Sequence, residues 1–212
     1  SPENYIATLV GNVDFHQICK YLEDNFRAEG KKIQIPEIKK LNKETIEERK
    51  GLDQAHFVFA VHAPKPSTPE YIALAVLDAY LADGMSSKLF IEIREKRGLA
   101  YSIQSALDPE RNSPYYGIYV GTTKQNLPKV KELILKTLDK VEKMRASDLE
   151  EAKQRVIGLK DVSAEDSVNV MLELTFAELN GNAEDYYKYE EKIEKITLEQ
   201  VKALAKQLTK NY

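Results

Sequence analysis

Apolar and polar residues alternate along residues 55–62, where Phe57, Phe59 and Val61 point to one side of an extended chain. This two-residue period is typical of a strand with one buried face. Short apolar runs bounded by turn residues indicate further strands. We predict these strands over 5–10, 99–107 and 115–122, with a possible edge strand over 45–49.

Elsewhere the apolar residues recur at three- and four-residue spacing, which is typical of helices. The clearest helix begins at Ser67 and Glu70, a candidate capping pair, with Pro69 suited to the first turn. It continues to residue 81 and is apolar nearly all round, which predicts a central position. Other helices are predicted from Asp14 to near Gly30 and over 87–97, 127–145, 163–179, 183–195 and 197–208. The helix over 87–97 has a candidate left-handed cap at Gly98. Capping boxes at Ser147/Glu150 and Thr197/Gln200 predict the start of one further helix and of the helix over 197–208.

The order of these elements predicts the fold class. Strands and helices do not alternate regularly, so a doubly wound parallel sheet is not expected. We predict an α+β fold in two layers, with a mainly antiparallel sheet packed against a helical layer. Residues 1–30 form a strand and a helix, residues 31–43 read as an extended linker, and residues 44–212 form the main domain. A basic docking strip is the alternative for the lysine-rich linker.

The composition makes several classes of partner and site improbable for this chain. The 212 residues include 31 Lys and Arg against 34 Asp and Glu, for a net charge of −3. Nucleic-acid-binding domains are usually basic, so we expect no nucleic-acid partner. The single cysteine, Cys19, excludes an internal disulfide and a cysteine-cluster metal site. No apolar run is long enough to span a membrane and no secretory leader is visible, so we expect no membrane partner and a cytoplasmic location.

The histidines do not form a recognisable metal site. None of the three, His16, His56 and His62, stands in an H-E-x-x-H or H-x-x-E-H motif or in a Cys/His pair with ligand spacing. His56 and His62 share one strand but lie about 20 Å apart by strand rise, so they cannot hold one metal ion. We expect both to be ordinary sheet residues. A G-x-S-x-G nucleophile motif and a phosphate-binding glycine loop are also absent, and the sequence therefore shows no complete catalytic apparatus.

One helix carries unusual arginines. On the helix over 87–97, Arg94 lies at the border of the apolar face and Arg97 falls near the buried side. A lone buried charge is very costly, so such an arginine needs a partner or a cleft. Its rigid donors suit a carboxylate or a peptide carbonyl. The charged side of the helix is formed by Lys88, Glu92 and Glu95, and the buried side by Leu89, Phe90 and Ile93.

Tyr101 lies seven residues after Arg94, beyond the turn at Gly98 and at the head of a strand. A corner between helix, turn and strand can bring both side chains to one edge of the sheet. The alternative is a snorkelling arginine and a packing tyrosine, both of which are common. Spacing alone favours that alternative.

Residues 81–102 resemble the second-domain signature of the pitrilysin-type zinc metallopeptidases, a family that includes mitochondrial processing peptidase and insulin-degrading enzyme. The matching run is Ser-Ser-x-Leu-Phe-x-x-x-Arg-Glu-Lys-x-Gly-Leu-Ala-Tyr, from Ser86 to Tyr101. Residues 148–153 resemble a later helix start of the family, and residues 4–11 with the helix to Phe26 resemble the end of the preceding repeat. The resemblance covers nearly the whole chain.

The resemblance implies a metalloprotease-like fold whose repeated domains face each other like a clamshell. One domain holds zinc through an H-x-x-E-H helix, and the facing domain supplies an arginine and a tyrosine. By match of motif these are Arg94 and Tyr101, which would bind the substrate backbone and stabilise the oxyanion. The resemblance implies no cofactor in this chain, zinc in the facing domain, a peptide substrate, a zinc-bearing domain or subunit as partner, and a possible homo-oligomer.

The 212 residues lack a zinc-binding motif, and three explanations remain open. The chain is the carboxyl-terminal part of a longer peptidase, or part of a zinc-free partner subunit, or a structural relative like the core proteins of respiratory complexes. The leading strand and helix favour the first explanation. The family also has a closing strand after the last helix, which is missing here, and we expect Tyr5–Val10 to occupy that vacant sheet edge.

Overall fold

Three strands form one antiparallel sheet in the computed structural model, which describes residues 5–26, 34, 38–39, 41 and 43–210. They are β1 (Ala55–His62), β2 (Ser102–Leu107) and β3 (Tyr115–Thr122), in the order β1-β3-β2. Tyr119 of the central strand pairs with Val58 of β1 and with Gln104 of β2. The predicted bounds of β1 and β3 are confirmed, and β2 begins three residues later than predicted.

One face of the sheet is buried and the other is open. Phe59 and Val61 of β1 lie in the core, while Val58 between them is exposed, as the alternating pattern predicts. Burial of aromatic and aliphatic side chains on this one face supplies much of the stability of the sheet. The buried face also includes Ile103, Tyr116, Ile118 and Val120.

The helical layer covers that buried face. The central helix α2 packs against three other helices of the layer, and its Leu74, Val76 and Leu77 are fully buried. The helices are α1 (Phe15–Asn25), α2 (Pro69–Leu81), a π-helix (Phe90–Glu95), α3 (Leu127–Asp139), α4 (Ala146–Ser163), α5 (Ser167–Leu179), α6 (Tyr189–Glu194) and α7 (Leu198–Leu208). Shorter 3₁₀ turns occupy Lys124–Asn126, Lys140–Lys143 and Ala183–Tyr186. The predicted two-layer α+β fold with an antiparallel sheet is confirmed.

Two predicted helix starts are wrong by one or two residues. The N-cap of α2 is Thr68 rather than Ser67, and its hydroxyl donates to the carbonyl oxygen of Lys65. The N-cap of α4 is Arg145 rather than Ser147, because the Asp148 carboxylate accepts the backbone N–H of Arg145 at 3.0 Å. That carboxylate satisfies a free N–H group at the helix start. Ser147, three residues before Glu150, is not the N-cap.

Other helix predictions hold in part. The Thr197/Gln200 capping box is confirmed, with the Thr197 N–H donating to the Gln200 side chain at 2.8 Å. The helix predicted over 127–145 ends at Asp139 and continues as a 3₁₀ turn, and the one predicted over 183–195 is a 3₁₀ turn followed by α6. Similarly, α5 begins at Ser167 rather than at residue 163.

The strands predicted over 5–10 and 45–49 are wrong, because both segments have non-regular backbone. Residues 5–10 lie instead beside α5, where the Thr175 hydroxyl is 2.7 Å from that of Thr8. Tyr5–Val10 therefore does not fill a vacant edge of the sheet. Its β-forming residues lack a strand to pair with, and Tyr5 and Leu9 stay exposed.

The segment after α1 falls largely outside the described residues. The helix predicted to run to near Gly30 ends at Asn25 with Phe26 as its C-cap, and residues 27–30 are not among those described. Most of the predicted linker over 31–43, and with it the alternative docking strip, also lies outside them.

In the part of the chain that the structure describes, no helix is long and apolar enough to cross a bilayer.

Candidate functional site

The helix that carries Arg94 is wound as a π-helix over Phe90–Glu95. Its hydrogen bonds reach five residues back, as in the 2.9 Å bond from the Lys96 N–H to the Ile91 carbonyl. Leu89, Phe90 and Ile93 are buried, as the sequence predicts. Single π-turns inside helices are often found at functional sites. The sequence did not indicate this winding, because the spacing of Leu89, Phe90 and Ile93 also fits an ordinary α-helix.

The turn after the π-helix is held in place at both ends. Gly98 has φ +60°, which confirms the predicted left-handed cap, and its N–H donates to the Arg94 carbonyl at 2.9 Å. The Tyr101 N–H donates to the carbonyl of Gly121 at the end of β3, at 2.8 Å. The buried Thr122 hydroxyl donates to the carbonyl of Leu99. The segment between the two candidate residues is thus fixed to the sheet.

The charged residues of this helix pair with one another and leave Arg94 aside. Glu92 binds both Lys96 and Arg97, and the Arg97 guanidinium also donates to the Glu92 backbone carbonyl at 2.6 Å. The hydrogen bond from Lys96, and then that from Arg97, lowers the pKa of Glu92. The prediction that Arg97 lies near the buried side is wrong: it is exposed and curls back to reach Glu92.

Arg94 and Tyr101 are both accessible from solvent. The guanidinium carbon of Arg94 lies 4.8 Å from the centre of the Phe90 ring, a cation–π contact that holds the side chain along the apolar border. Within residues 43–210, no carboxylate forms an ion pair with Arg94, and no hydrogen bond joins Arg94 to Tyr101. Tyr101 is 60% exposed. Both side chains are therefore open to a peptide approaching the turn.

The histidines do not form a metal site. His56 lies on the open face of the sheet, where its Nδ1 is 2.7 Å from the Tyr119 hydroxyl. His62 lies at the other end of β1 and pairs in register with Tyr115. In the described residues, no three His, Cys, Asp or Glu side chains are grouped so that they could hold a metal ion. The residues that the structure describes thus offer no ligand set for a zinc ion.

Sequence reasoning missed a partly buried acid. Asp78 lies on α2, where the hydroxyls of Ser105 and Tyr116 donate to its two carboxylate oxygens at 2.9 and 2.8 Å. Burial raises the pKa of Asp78 to about 6, although both hydrogen bonds act in the opposite direction. The available signal was a single aspartate in a helix that is otherwise apolar nearly all round.

Comparisons with known proteins agree with the sequence resemblance. The family profile described as "Peptidase M16 inactive domain" matches residues 1–156. An uncharacterised zinc protease of Mycobacterium leprae is 32% identical over 98% of this chain and 49% of its own length. A protease from Helicobacter pylori has the same fold, with a TM-score of 0.79 at 17% identity, covering 93% of this chain and 50% of that one.

A chain of Complex III2 from Candida albicans also shares the fold, with a TM-score of 0.77 at 22% identity over 93% of this chain and 50% of that one. The chain spans about half the length of each of these three proteins. The family profile covers well over half of the chain, and the resemblance predicted from residues 81–102 is confirmed. The chain therefore belongs to the peptidase M16 inactive-domain family.

Proposed function

We propose that this domain is the substrate-binding half of a zinc endopeptidase that cleaves peptides or unfolded segments. The zinc ion would be held by another domain or subunit, where it supplies an activated water. In this chain Arg94 and Tyr101 would bind the substrate backbone. The location of the zinc outside this chain is supported by the lack of a suitable ligand group among the described residues.

The observation that carries the proposal is the state of Arg94. Its neighbour Arg97 is bound to Glu92, whereas the Arg94 guanidinium rests on the Phe90 ring with its N–H donors directed to no carboxylate in the described structure. A guanidinium has five donors in a rigid fork, which suits a carbonyl oxygen on which negative charge develops. An exposed arginine held in this way is ready to donate without first breaking an ion pair.

The two side chains would act at the peptide carbonyl. Arg94 would donate an N–H hydrogen bond to the carbonyl oxygen, and the Tyr101 hydroxyl would donate a second. Both bonds become stronger as water adds to the carbonyl carbon and the oxygen gains negative charge. The anchored turn at Gly98 keeps the two donors in position, so little reorganisation accompanies the reaction.

Replacement of Arg94 in the complete protein tests the proposal. Arg94→Ala should lower kcat by about 10²–10³, the usual loss for one oxyanion donor, with unchanged zinc content. Arg97→Ala is the matched control, because it removes the same side chain from the same turn and should leave kcat within about threefold of wild type. Equal kinetics for Arg94→Ala and the wild type would return Arg94 to a packing role.

A second candidate function is that of a structural or partner chain without proteolytic activity. The Complex III2 chain favours it, because that chain has the same fold and a similar TM-score. Sequencing the complete gene separates the two. An H-x-x-E-H motif in the same polypeptide selects the peptidase, and a complete protein that contains no zinc and binds no zinc-bearing subunit selects the structural role.

A further inference from the structure

We propose that a cavity between α2, α4 and α5 binds a primary ammonium group on an apolar stem, with the Asp78 carboxylate as its counter-ion. This site is separate from the turn that carries Arg94 and Tyr101. The shape of the cavity, the pairing of the charges around it and the hydrogen bonds of Asp78 all favour such a ligand.

The cavity has a volume of about 450 Å³, within the range of small-molecule sites. Residues of α2, α4 and α5 line it, and α5 has no buried residue although many of its side chains are apolar. Leu159 of α4 and Phe176 of α5 line it and are also 49% and 39% exposed, so the cavity opens to solvent between these helices. Its apolar walls include Ile72, Ala75, Val156 and Ala177.

Four carboxylates line the cavity, and three of them already face a cation. The pairs are Lys160 with Glu173 (2.6 Å), Lys192 with Asp185 (2.8 Å) and Arg155 with Asp83 (3.4 Å). The ammonium of Lys160 is further held over the Tyr186 ring at 3.8 Å. The cations of the cavity wall are therefore occupied by other partners.

Asp78 is the fourth carboxylate. Its hydrogen-bond donors in the described structure are two neutral hydroxyls, those of Ser105 and Tyr116. Each carboxylate oxygen can accept a further hydrogen bond, so an ammonium can be added without displacing either hydroxyl. Arg155 lies near enough to act on Asp78 but pairs with Asp83, and a largely desolvated carboxylate without an ion-pair partner of its own is costly, as the raised pKa of Asp78 reflects. A ligand that supplies a positive charge relieves this cost, and an apolar stem fills the walls.

The experiment compares hexylamine with 1-hexanol by isothermal titration calorimetry on the complete protein at about pH 7.5. The two probes have the same stem, and only the amine carries a charge. We expect hexylamine to bind at least about tenfold more tightly, since hydrogen bonds between charged groups are stronger than neutral ones. Asp78→Asn should abolish this preference, and Asp161→Asn, which removes an exposed carboxylate of α4, should leave it intact.

The pH dependence of binding to the wild-type protein tests the same proposal even if the Asp78→Asn variant does not fold. In the wild type, the preference for the amine should fall as the pH drops below about 6, where Asp78 takes up a proton. The nearby groups Asp83, Arg155, Tyr71 and Tyr116 act on the site with either probe bound, so the amine is compared with hexanol at each pH. Equal affinities at about pH 7.5, or a preference that survives in Asp78→Asn, would overturn the proposal.

An ammonium on an apolar stem occurs in free alkylamines and in lysine side chains. A short blocked peptide with one lysine, compared with its norleucine counterpart, distinguishes the two sources. Displacement of hexylamine by the lysine peptide alone would assign the site to peptide lysines. Displacement by neither peptide would assign it to free amines. Neither result depends on peptide cleavage, so this test and the Arg94 test can fail independently.

Discussion

Asp78 should make the stability of the fold depend on pH in an unusual direction. Its pKa is about 6 in the folded chain and 3.8 when unperturbed, so between these values the folded state holds a proton that the unfolded state has released. The stabilising contribution of the Asp78 proton is therefore complete below about pH 4 and is lost as the pH rises through about 6, by on the order of 3 kcal/mol at most.

The variant Asp78→Asn lacks this titration. We expect the difference in free energy of unfolding between variant and wild type to move in favour of the variant between about pH 4 and pH 7. Urea titrations at several pH values measure this difference. A difference that stays constant over the range would mean that the folded state does not perturb Asp78.

The two glycines Gly98 and Gly158 make a matched pair for the backbone at the candidate site. Gly98 has φ +60°, and a Cβ there would meet no atom within 4 Å, so Gly98→Ala carries only the backbone cost of about 1–2 kcal/mol. Gly158 lies within α4, also with open space around a Cβ, so Gly158→Ala should stabilise the fold by roughly 0.5–1 kcal/mol.

Thermal unfolding measures these two opposite changes in stability. In the complete protein, Gly98→Ala should also lower kcat, because the Gly98 turn positions both Arg94 and Tyr101. Gly158→Ala should leave kcat unchanged. A Gly98→Ala variant as stable as wild type would show that this turn tolerates a side chain.

At the scale of elements, the start of α4 depends on Asp148. Its carboxylate accepts the Arg145 backbone N–H and pairs with the Arg145 guanidinium, and these contacts lower its pKa to about 2. Because the pKa is depressed, the stabilisation is complete above about pH 4 and is lost as the pH falls toward 2.

Asp148→Ala should therefore lower the free energy of unfolding at neutral pH by about 1–2 kcal/mol, the usual cost of a lost helix cap. Denaturant titration measures it, with Glu151→Ala on the same helix turn as the control. Similar losses in the two variants would remove the special role of Asp148.

The elements show what a sequence can predict and what it cannot. β1 and β3 were predictable because each buries one face against the helices, and Tyr116 and Phe59 mark that face. The prediction for residues 5–10 failed because β-propensity cannot tell whether a partner edge is available. The start of α4 was misplaced because Arg145 is not a typical N-cap residue, and its cap depends on the Asp148 carboxylate reaching back to the Arg145 N–H.

The candidate site also has features that the sequence predicts and features that it does not. Arg94 and Tyr101 came from a long motif, and the structure places both in solvent beside one anchored turn. The Arg97 side chain turns back to pair with Glu92, and a helical wheel, which shows only the direction of each residue, does not predict such a contact. The cavity beside Asp78 is lined by residues that are far apart in the sequence, on α2, α4 and α5, so its shape is a property of tertiary packing.

At the scale of the whole molecule, the helix α1 bears on the predicted division into residues 1–30, a linker (31–43) and a main domain (44–212), although residues 5–10 do not form the predicted strand. α1 is amphipathic, yet it has no buried residue, and Phe15 and Tyr21 are exposed. An amphipathic helix normally buries its apolar face. We therefore keep the proposal that α1 belongs with a preceding domain, which also agrees with relatives about twice as long.

If zinc lies outside this domain, removing it should affect activity and local stability differently. Treatment of the complete protein with a chelator should abolish peptide cleavage, because the activated water is lost. Backbone amides of β1 and β3 should keep their hydrogen-exchange protection, because none of the described residues forms a metal site that could stabilise the sheet.

The matched control is the same exchange experiment with zinc restored, which should recover cleavage without changing protection in β1 or β3. Loss of protection in these strands on chelation would show that the metal contributes directly to this fold. Since metal-dependent folds unfold with their metal, that result would move the zinc site into or against this domain and would remove the basis for assigning it to a facing partner.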